Sequence, residues 1–266
     1  MIKDCLNIAA VGSAERIRVT GCPVDRLSFR ETVAELCRRI DTGIRTHVIF
    51  INAAKIVRYS KNPPFRTIVN RADLLLADGV SVVWASRLLR RPLPGRVNGT
   101  DLMEQMVAVA AERGYRVFFL GATPEVIVQV VDEFRRRHPN LKVAGYRDGY
   151  FGDEEHEAII QEINRGGADL LLVGMSTPKK EMWVDQNLNR LQVAVAQGVG
   201  GSFDVVAGVV SRAPRWMQHN GLEWFYRLLQ EPRRMWRRYL ETNSTFLWLV
   251  MRDLLKSWKL HVAGDS

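Results

Sequence analysis

Residues 115–138 read YRVFFLGATPEVIVQVVDEFRRRH, an apolar run that ends in glycine and is followed by a turn and a helical pattern. The first part suits a strand buried on both faces, and the later apolar positions recur at helical spacing. The same order of apolar run and helix recurs through most of the chain. The other strand candidates are HVIFIN, ADLLLAD, KVAGY, ADLLLVG and QVAVAQGVG, and a further helix is predicted at Thr100–Arg113.

This alternation predicts an α/β fold. Strands that read as continuous apolar runs between helices form a mostly parallel sheet with helices on both faces, a Rossmann-like arrangement. The predicted strands end at Asn52, Asp78, Gly121, Gly174 and Gly198. Ligands of such sheets bind at the carboxyl ends of the strands, so we expect the functional site at this rim.

The pattern changes after residue 210. Residues 211–266 are helical and aromatic, and they contain ten Lys and Arg against five Asp and Glu in a chain of net charge +9. We therefore predict an α/β core at 1–210 and a basic helical appendage at 211–266. In the last helix, Met251, Leu254 and Trp258 are expected to share one face. Another face is expected to carry Arg252, Lys256 and Lys259. Helices that lie on a membrane surface have this pattern, and so do helices that pack on a core with a solvated basic face.

The bulk composition narrows the class of protein only moderately. Cys5, Cys22 and Cys37 are an odd number without a C-x-x-C pair, which favours a reducing cytosol. The N-terminus lacks a signal-peptide core, and the apolar stretch Phe246–Met251 is far shorter than the roughly 20 residues that cross a bilayer. The positive charge fits nucleic acid, phosphorylated small molecules or anionic lipid as partners.

Two polar residues at the predicted rim are candidates for catalysis. Asp78 follows a buried strand, where its carboxylate could accept a proton from a bound hydroxyl. The alternative is that Asp78 caps the helix that follows, and the same ambiguity applies to Asn52. Two such residues on one rim make a shared site more plausible than either does alone.

Other segments suit the binding of phosphate. Arg96 is a planar cation just ahead of a helix, whose free N–H groups also attract anions, although Arg96 could instead pair with a nearby carboxylate. The turns GATPE, GMSTPKKE and GVGGSFD place Gly121, Gly200 and Gly201 where a phosphate can approach the backbone closely. The histidines lack H-x-x-x-H spacing and the sequence has no D-x-D triplet, so we predict no metal site.

Eight segments, taken in order, resemble the WecG/TagA/CpsF glycosyltransferase family over roughly Gly21 to Tyr239. The segments are INAAKIV, LLLADGVSVVWASRLL, PLPGRVNGTDLM, FFLGATPE, GYRDGYF, LLLVGMSTPKKEMW, GVGGSFDVVAG and RAPRWMQHNGLEWFYRLLQEPRRMWRRY. The specificity of the resemblance comes from the ordered set, because no single segment would suffice.

The resemblance implies an inverting, metal-independent glycosyltransferase that makes bacterial surface polysaccharide or teichoic acid. The implied partners are a UDP-sugar donor and a polyprenyl-diphosphate-linked sugar acceptor, with no cofactor. By motif position, Asp78 would be the general base, Asn52 would orient the reacting sugar and Arg96 would bind the acceptor diphosphate. Asp204 would contact the nucleoside.

The resemblance also implies that the appendage meets the inner face of the cell membrane, so that the protein is cytoplasmic and peripherally attached. Arg227, Arg234 and Arg238 would bind the acceptor diphosphate if one continuous helix carried them, whereas Pro232 would interrupt such a helix. The sequence leaves open whether the chain forms a homo-oligomer.

Two positions depart from the family pattern. Phe50 stands where the family usually has the threonine of T-x-N, and Lys180 stands where it usually has the glutamine of PKQE. A lost hydroxyl and a gained cation argue against assigning the family's usual N-acetylmannosamine donor, so we predict no particular sugar. Lys180 is expected to bind the nucleotide-sugar and to stabilise the departing UDP.

Two other classes stay open from the residues alone. A Rossmann-type oxidoreductase would have the same α/β core, but the chain has neither G-x-G-x-x-G nor G-x-x-x-x-G-K-[ST]. A nucleic-acid-binding protein would explain the charge, but the basic tail has no reader motif and contains many aliphatic residues, so no nucleic acid is expected.

Overall fold

The computed structural model describes residues 14–219, 221–230 and 232–264. Its strands in this part of the chain are β1 (Arg16–Val19), β2 (Cys22–Asp25), β3 (Thr46–Ile51), β4 (Leu74–Ala77), β5 (Arg116–Gly121), β6 (Lys142–Arg147), β7 (Leu170–Gly174) and β8 (Val195–Gly198). The last six form one sheet in the order β4–β3–β8–β7–β5–β6, and every pair of neighbours is parallel. The structure thus confirms the predicted parallel sheet.

Helices connect the strands. They are α1 (Phe29–Asp41), α2 (Ala53–Lys61), α3 (Pro63–Arg71), α4 (Val80–Leu88), α5 (Gly99–Arg113), α6 (Pro124–Arg137), α7 (His156–Gly166), α8 (Lys179–Asn187), α9 (Ser202–Val206), α10 (Arg215–His219), α11 (Glu223–Gln230) and α12 (Pro232–Gly264). Their first turns carry recognisable caps: the Thr123 hydroxyl accepts the Val126 N–H at 3.3 Å, and Ser28 and Glu31 form a capping box.

Helices cover both faces of the sheet, as predicted, but the two faces differ in the number of hydrophobic cores. On one face, α1, α5, α6 and α9 pack on a single continuous core. On the other face there are two separate cores. The first lies under α2, α3, α4 and α12, and the second lies under α7 and α8. Fully buried strand residues such as Ile49 and Leu171 fill these cores, which explains why the strands read as continuous apolar runs.

The hairpin of β1 and β2 was not among the predicted strands. Its turn residues Thr20 and Gly21 have φ of 48° and 81°, and two positive φ values are typical of two-residue hairpin turns. Threonine seldom takes this conformation. The turn also lacks the Asn-Gly pair that usually marks such a hairpin in a sequence. The buried Asp25 fixes the hairpin, because its carboxylate accepts from Arg16 Nε at 2.7 Å and from the backbone N–H of Leu75 at 2.8 Å.

The last helices, α10 to α12, lie in the predicted appendage. Phe246, Leu249 and Val250 of α12 are nevertheless buried in the core under α2. The two residues of the expected shared face differ in burial: Met251 is exposed, whereas Leu254 packs against that core. The side chain of Trp258 lies outside the described residues. This packing does not fix a domain boundary, so the division at residue 211 stays a prediction.

Candidate active site

The carboxyl ends of five neighbouring strands meet at one edge of the sheet, because all of them are parallel. The predicted rim residues follow these ends: Asn52 after β3, Asp78 after β4, and Gly121, Gly174 and Gly198 at the ends of β5, β7 and β8. The sequence-based placement of the site is therefore geometrically consistent with the fold.

Asp78 does not cap the helix that follows it, so that alternative is wrong. The N-cap of α4 is Gly79, and Asp78 Oδ1 instead accepts the backbone N–H of Gly99 at 3.2 Å, at the start of α5. The side chain is half-buried. Burial raises the pKa of this carboxyl, while the Gly99 N–H and the charge of Lys55 act in the opposite direction. A carboxylate with a raised pKa is a better proton acceptor.

Asn52 does act as a helix cap. Its side-chain oxygen accepts the N–H of Lys55 at 3.0 Å, in the first turn of α2. It also lies beside the Asp78 loop, since a Cβ atom on Gly79 would be 3.4 Å from Asn52 Cβ. With the oxygen engaged in capping, the amide NH₂ is the group that Asn52 has to offer a ligand.

Arg96 pairs with a carboxylate, but that carboxylate comes from the appendage rather than from nearby sequence. Its Nη1 donates to Glu223 Oε2 at 2.8 Å, and its Nη2 donates to the carbonyl of Gln218 at 2.8 Å. Asn98 Nδ2 donates to the same Glu223 oxygen at 3.1 Å. Glu223 Oε1 lies 3.6 Å from Arg212 Nε. Glu223 thus brings two arginines together next to Asp78 and attaches α11 to the rim.

The backbone at the carboxyl ends of β5 and β7 has no room for side chains and requires glycine. A Cβ on Gly121, whose φ is 128°, would lie 2.5 Å from the carbonyl carbon of Gly174. A Cβ on Gly174 would lie 2.2 Å from the Phe203 ring. The next residue, Ala122, has φ of 60°, a conformation that costs free energy for a residue with a side chain and that clusters at functional sites. The backbone here is open to close approach by a ligand such as a phosphate.

The end of β8 and the start of α9 form the adjoining part of the rim. Gly200 has φ of 57°, and its N–H donates to the carbonyl of Val173 at 3.3 Å. Asp204 lies in the first turn of α9, where a Cβ on Gly201 would be 3.5 Å from its Oδ2. The predicted residues Gly200, Gly201 and Asp204 therefore lie together, next to the strand that carries Gly174.

Lys180 extends into the same rim from α8. A Cβ on Gly198 would be 2.9 Å from Lys180 Cδ, and one on Gly200 would be 3.8 Å from its Nζ. The ammonium donates to Thr177 Oγ1 at 2.5 Å and lies 3.1 Å from Glu181 Oε1. Burial, with repulsion from Lys55, lowers the pKa of Lys180 to about 8. Lys180 thus brings an ammonium group to the rim, and its role in binding the nucleotide-sugar stays a prediction.

Sequence reasoning missed several residues that the fold brings to this site. Lys55, Glu181 and Glu223 all carry charge here, and Asn98 caps α5 and contacts Glu223. These residues lay inside segments quoted for the resemblance, such as INAAKIV and GLEW, but their partners are distant in sequence.

Three predicted residues lie on helices whose side chains are only partly described. Arg227 belongs to α11, and Arg234 and Arg238 belong to α12, which begins at Pro232. Their side chains lie outside the described residues, so their role stays a prediction. Within the described ranges, no group of three or more His, Cys, Asp or Glu could hold a metal ion.

Comparison with known proteins identifies the family. The model of the "Glycosyl transferase WecG/TagA/CpsF family" matches residues 17–260. The chain belongs to the WecG/TagA/CpsF glycosyltransferase family. It is 36% identical over 205 residues, covering 77% of this chain and 78% of the other, to an N-acetylglucosaminyldiphosphoundecaprenol N-acetyl-beta-D-mannosaminyltransferase of Bacillus spizizenii. As a WecG/TagA/CpsF protein the chain is a glycosyltransferase, which decides against the oxidoreductase and nucleic-acid alternatives.

Proposed function

We propose that this glycosyltransferase moves a sugar from a UDP-sugar to a polyprenyl-diphosphate-linked acceptor, with inversion at the anomeric carbon. The observation that carries the proposal is that Asp78 interacts electrostatically with both Arg96 and Lys180 at one rim of the sheet, so a proton acceptor lies near two cationic groups. The name of the Bacillus spizizenii relative, which acts on a diphosphoundecaprenol-linked sugar, supports this acceptor class.

The chemistry needs one base and positive charge at the leaving group. Asp78 accepts the proton of the acceptor hydroxyl while that oxygen attacks the anomeric carbon from the side opposite UDP. The new glycosidic C–O bond forms as the bond to the β-phosphate oxygen breaks, and UDP departs with the electron pair. Lys180 and backbone N–H groups near the start of α9 stabilise the charge that develops on the diphosphate. In this proposal no step requires a metal ion.

Acceptor binding follows from the contacts of Arg96. A guanidinium that binds a carboxylate through one nitrogen has the geometry to bind a phosphate oxygen in the same way. The acceptor diphosphate would replace Glu223 on Arg96, with Arg212 at hand from the same cluster. The acceptor diphosphate then competes with the Glu223 carboxylate for Arg96. Because Glu223 belongs to α11, acceptor binding would change the position of this helix.

The exposed surface of the appendage supports attachment to a membrane. Large apolar side chains on α12 are at least half exposed; they are Trp236, Leu240, Leu247, Trp248, Met251 and Leu255. Arg252 lies over the Trp248 ring, 5.2 Å from its centroid. Exposed apolar surface of this extent typically contacts a partner or a membrane, and aromatic and basic side chains together suit an anionic lipid surface. In the described ranges, every helix is too short or too polar to pass through a bilayer.

The test asks which UDP-sugar is the donor and whether Asp78 is the general base. The purified protein is incubated with a panel of UDP-sugars and a lipid-linked acceptor, UDP release is measured, and the product is identified by mass spectrometry. Asp78→Asn should lower turnover by about 100- to 10,000-fold, because it removes the proton acceptor and keeps its size. UDP binding, measured by calorimetry, should stay close to wild type.

The matched control is Asp132→Asn, since Asp132 is an exposed residue of α6. Release of UDP from none of the UDP-sugars would refute the donor class. Turnover of Asp78→Asn close to that of the control would show that Asp78 is not the base.

A further inference from the structure

Beneath the rim lies a buried cluster of charged side chains, of which only Lys180 has a role in the proposed reaction. Lys55 of α2 and Lys180 and Glu181 of α8 are only 7%, 6% and 2% exposed. They lie where the two cores on this face of the sheet meet, with Ile49 from one core and Val184 from the other beside them. The cleft beside the cluster has no room for a water molecule, so protein groups are the main partners of its charges.

The cluster has one positive charge in excess. Both lysines bind the same carboxylate oxygen: Glu181 Oε1 lies 2.7 Å from Lys55 Nζ and 3.1 Å from Lys180 Nζ. Burial would raise the pKa of Glu181, but the two lysines together lower it to about 2, so this carboxyl is ionised. His47 of β3, next to the cluster, has a pKa lowered by burial to about 4 and is neutral at pH 7. Two cations and one anion remain.

Asp78 is a carboxyl outside the cluster that interacts electrostatically with its lysines. Lys55 is in the first turn of α2, which Asn52 caps, and Asn52 lies beside Gly79, the neighbour of Asp78, since a Cβ on Gly79 would be 3.4 Å from Asn52 Cβ. Among the described groups, the charges that act on Asp78 are Lys55 of α2, Arg96 of the loop before α5 and Glu223 of α11, with the Gly99 N–H. Asp78 acts in turn on Lys180 of α8.

Arg96 and Glu223 form a direct ion pair, and Arg212, the second arginine on Glu223, pairs with Asp101, so this group has no net charge. The uncompensated positive charge that faces Asp78 therefore comes from the lysine cluster.

We propose that Lys55, Lys180 and Glu181 form one buried countercharge of +1 that keeps Asp78 ionised, which makes Lys55 a positioning residue of the reaction. The proposal rests on the proposed function in one respect, since Asp78 matters for the rate only if it is the base. Lys55 touches neither substrate in this scheme; it acts through the charge of Asp78.

The net charge of the cluster sets the direction of each effect. Lys55→Met leaves Lys180 and Glu181, which cancel, so Asp78 loses its countercharge and takes up a proton at higher pH. Lys55→Met with Glu181→Gln leaves Lys180 alone, which restores the net charge of +1. The double variant should therefore return toward wild type, although it has lost more native contacts than the single variant.

Two readouts test the proposal. Titration of the Asp78 carboxyl by carbon-13 NMR, assigned with Asp78→Asn, measures the ionisation whether or not the protein transfers any sugar. The pH profile of kcat/KM measures the consequence for the reaction. At a fixed pH on the acid limb, Lys55→Met should lower kcat/KM by about tenfold, because a nearby opposite charge changes a carboxyl pKa by about one unit or more. Lys55→Arg, which keeps the charge, should titrate close to wild type.

The expected order is that Asp78 loses its proton at the highest pH in Lys55→Met, with the double variant close to wild type. An unchanged Asp78 titration in Lys55→Met overturns the proposal, and so does a double variant that shifts further instead of returning. If Lys55→Met does not fold, the double variant and Lys55→Arg carry the test, and a large shift in either of them overturns it. A protein that transfers no sugar but shows the expected titrations would refute the proposed function alone.

Discussion

Glu223 provides a direct test of how the appendage is held. Its carboxylate contacts Arg96 at 2.8 Å, Asn98 at 3.1 Å and Arg212 at 3.6 Å. Glu223→Gln keeps the side-chain volume and removes the charge. Hydrogen bonds to charged groups contribute about 1.5–3 kcal/mol, and the partial exposure of this pair, 22% for both side chains, argues for about 1–2 kcal/mol.

That loss corresponds to an increase of about 5- to 30-fold in the local opening of α10 and α11. Hydrogen exchange followed by mass spectrometry measures it, through the protection of peptides that span these two helices. The control is Glu15→Gln, because the ion pair of Glu15 with Arg26 is largely exposed, at 66% and 44%, and its loss should change nothing in the appendage. The KM for the acceptor should also fall in Glu223→Gln, since the acceptor diphosphate no longer competes with a carboxylate for Arg96.

Equal exchange in Glu223→Gln and wild type would refute the idea that this carboxylate attaches the appendage. Faster exchange with a raised acceptor KM would refute the competition instead, because Glu223 would then be needed to orient Arg96 for the acceptor.

Three further predictions follow from the site and the appendage. Transfer should be unchanged in EDTA, because Lys180 and helix N-terminal groups neutralise the diphosphate in the proposed reaction; activity lost in EDTA and restored by Mg²⁺ or Mn²⁺ would contradict this. The KM for the UDP-sugar should rise as the pH rises through about 8, where Lys180 loses its proton, and Lys180→Gln should abolish this pH dependence; the same dependence in that variant would point to another group. Leu247→Ser with Met251→Ser should weaken binding to anionic vesicles by about 100-fold, since each exposed side chain contributes about 1.5 kcal/mol when buried in lipid; equal binding by this variant and by the control Val128→Ser, on α6, would exclude α12 as the contact.

These substitutions test the membrane contact better than removal of the whole appendage. Deleting residues 211–266 would also remove Phe246, Leu249 and Val250, which are buried in the core under α2. The exposed residues of α12 can be changed without disturbing that packing.

The fold could be read from the sequence because its signals are local. Buried parallel strands appear as apolar runs, and caps such as Thr123 mark where helices begin. The hairpin could not be read in this way, since Thr20 takes a turn conformation that its residue type does not favour. The order of the strands was also out of reach, because it depends on pairings between residues far apart in the chain.

The site was predicted in part for the same reason. Asp78 and Lys180 could be placed at the rim from the sequence because a strand end and a family motif mark them. Glu223 was missed because its partner Arg96 is 127 residues away in the chain. Lys55 was missed because its contact with Glu181 forms only in the folded protein. The capping alternative for Asp78 failed because the next helix begins at Gly79, which places the carboxylate against α5.

The division of the apolar layer has a mechanical consequence. One face of the sheet has an unbroken core, whereas the other has two cores that meet at Lys55 and Glu181. Bending that separates the two cores exposes charged groups that water solvates well, while bending in the opposite sense would open continuous apolar packing. We therefore expect a hinge motion about the line between β3 and β8. The unbroken core would stay packed during this motion, and the two parts of the rim would move apart.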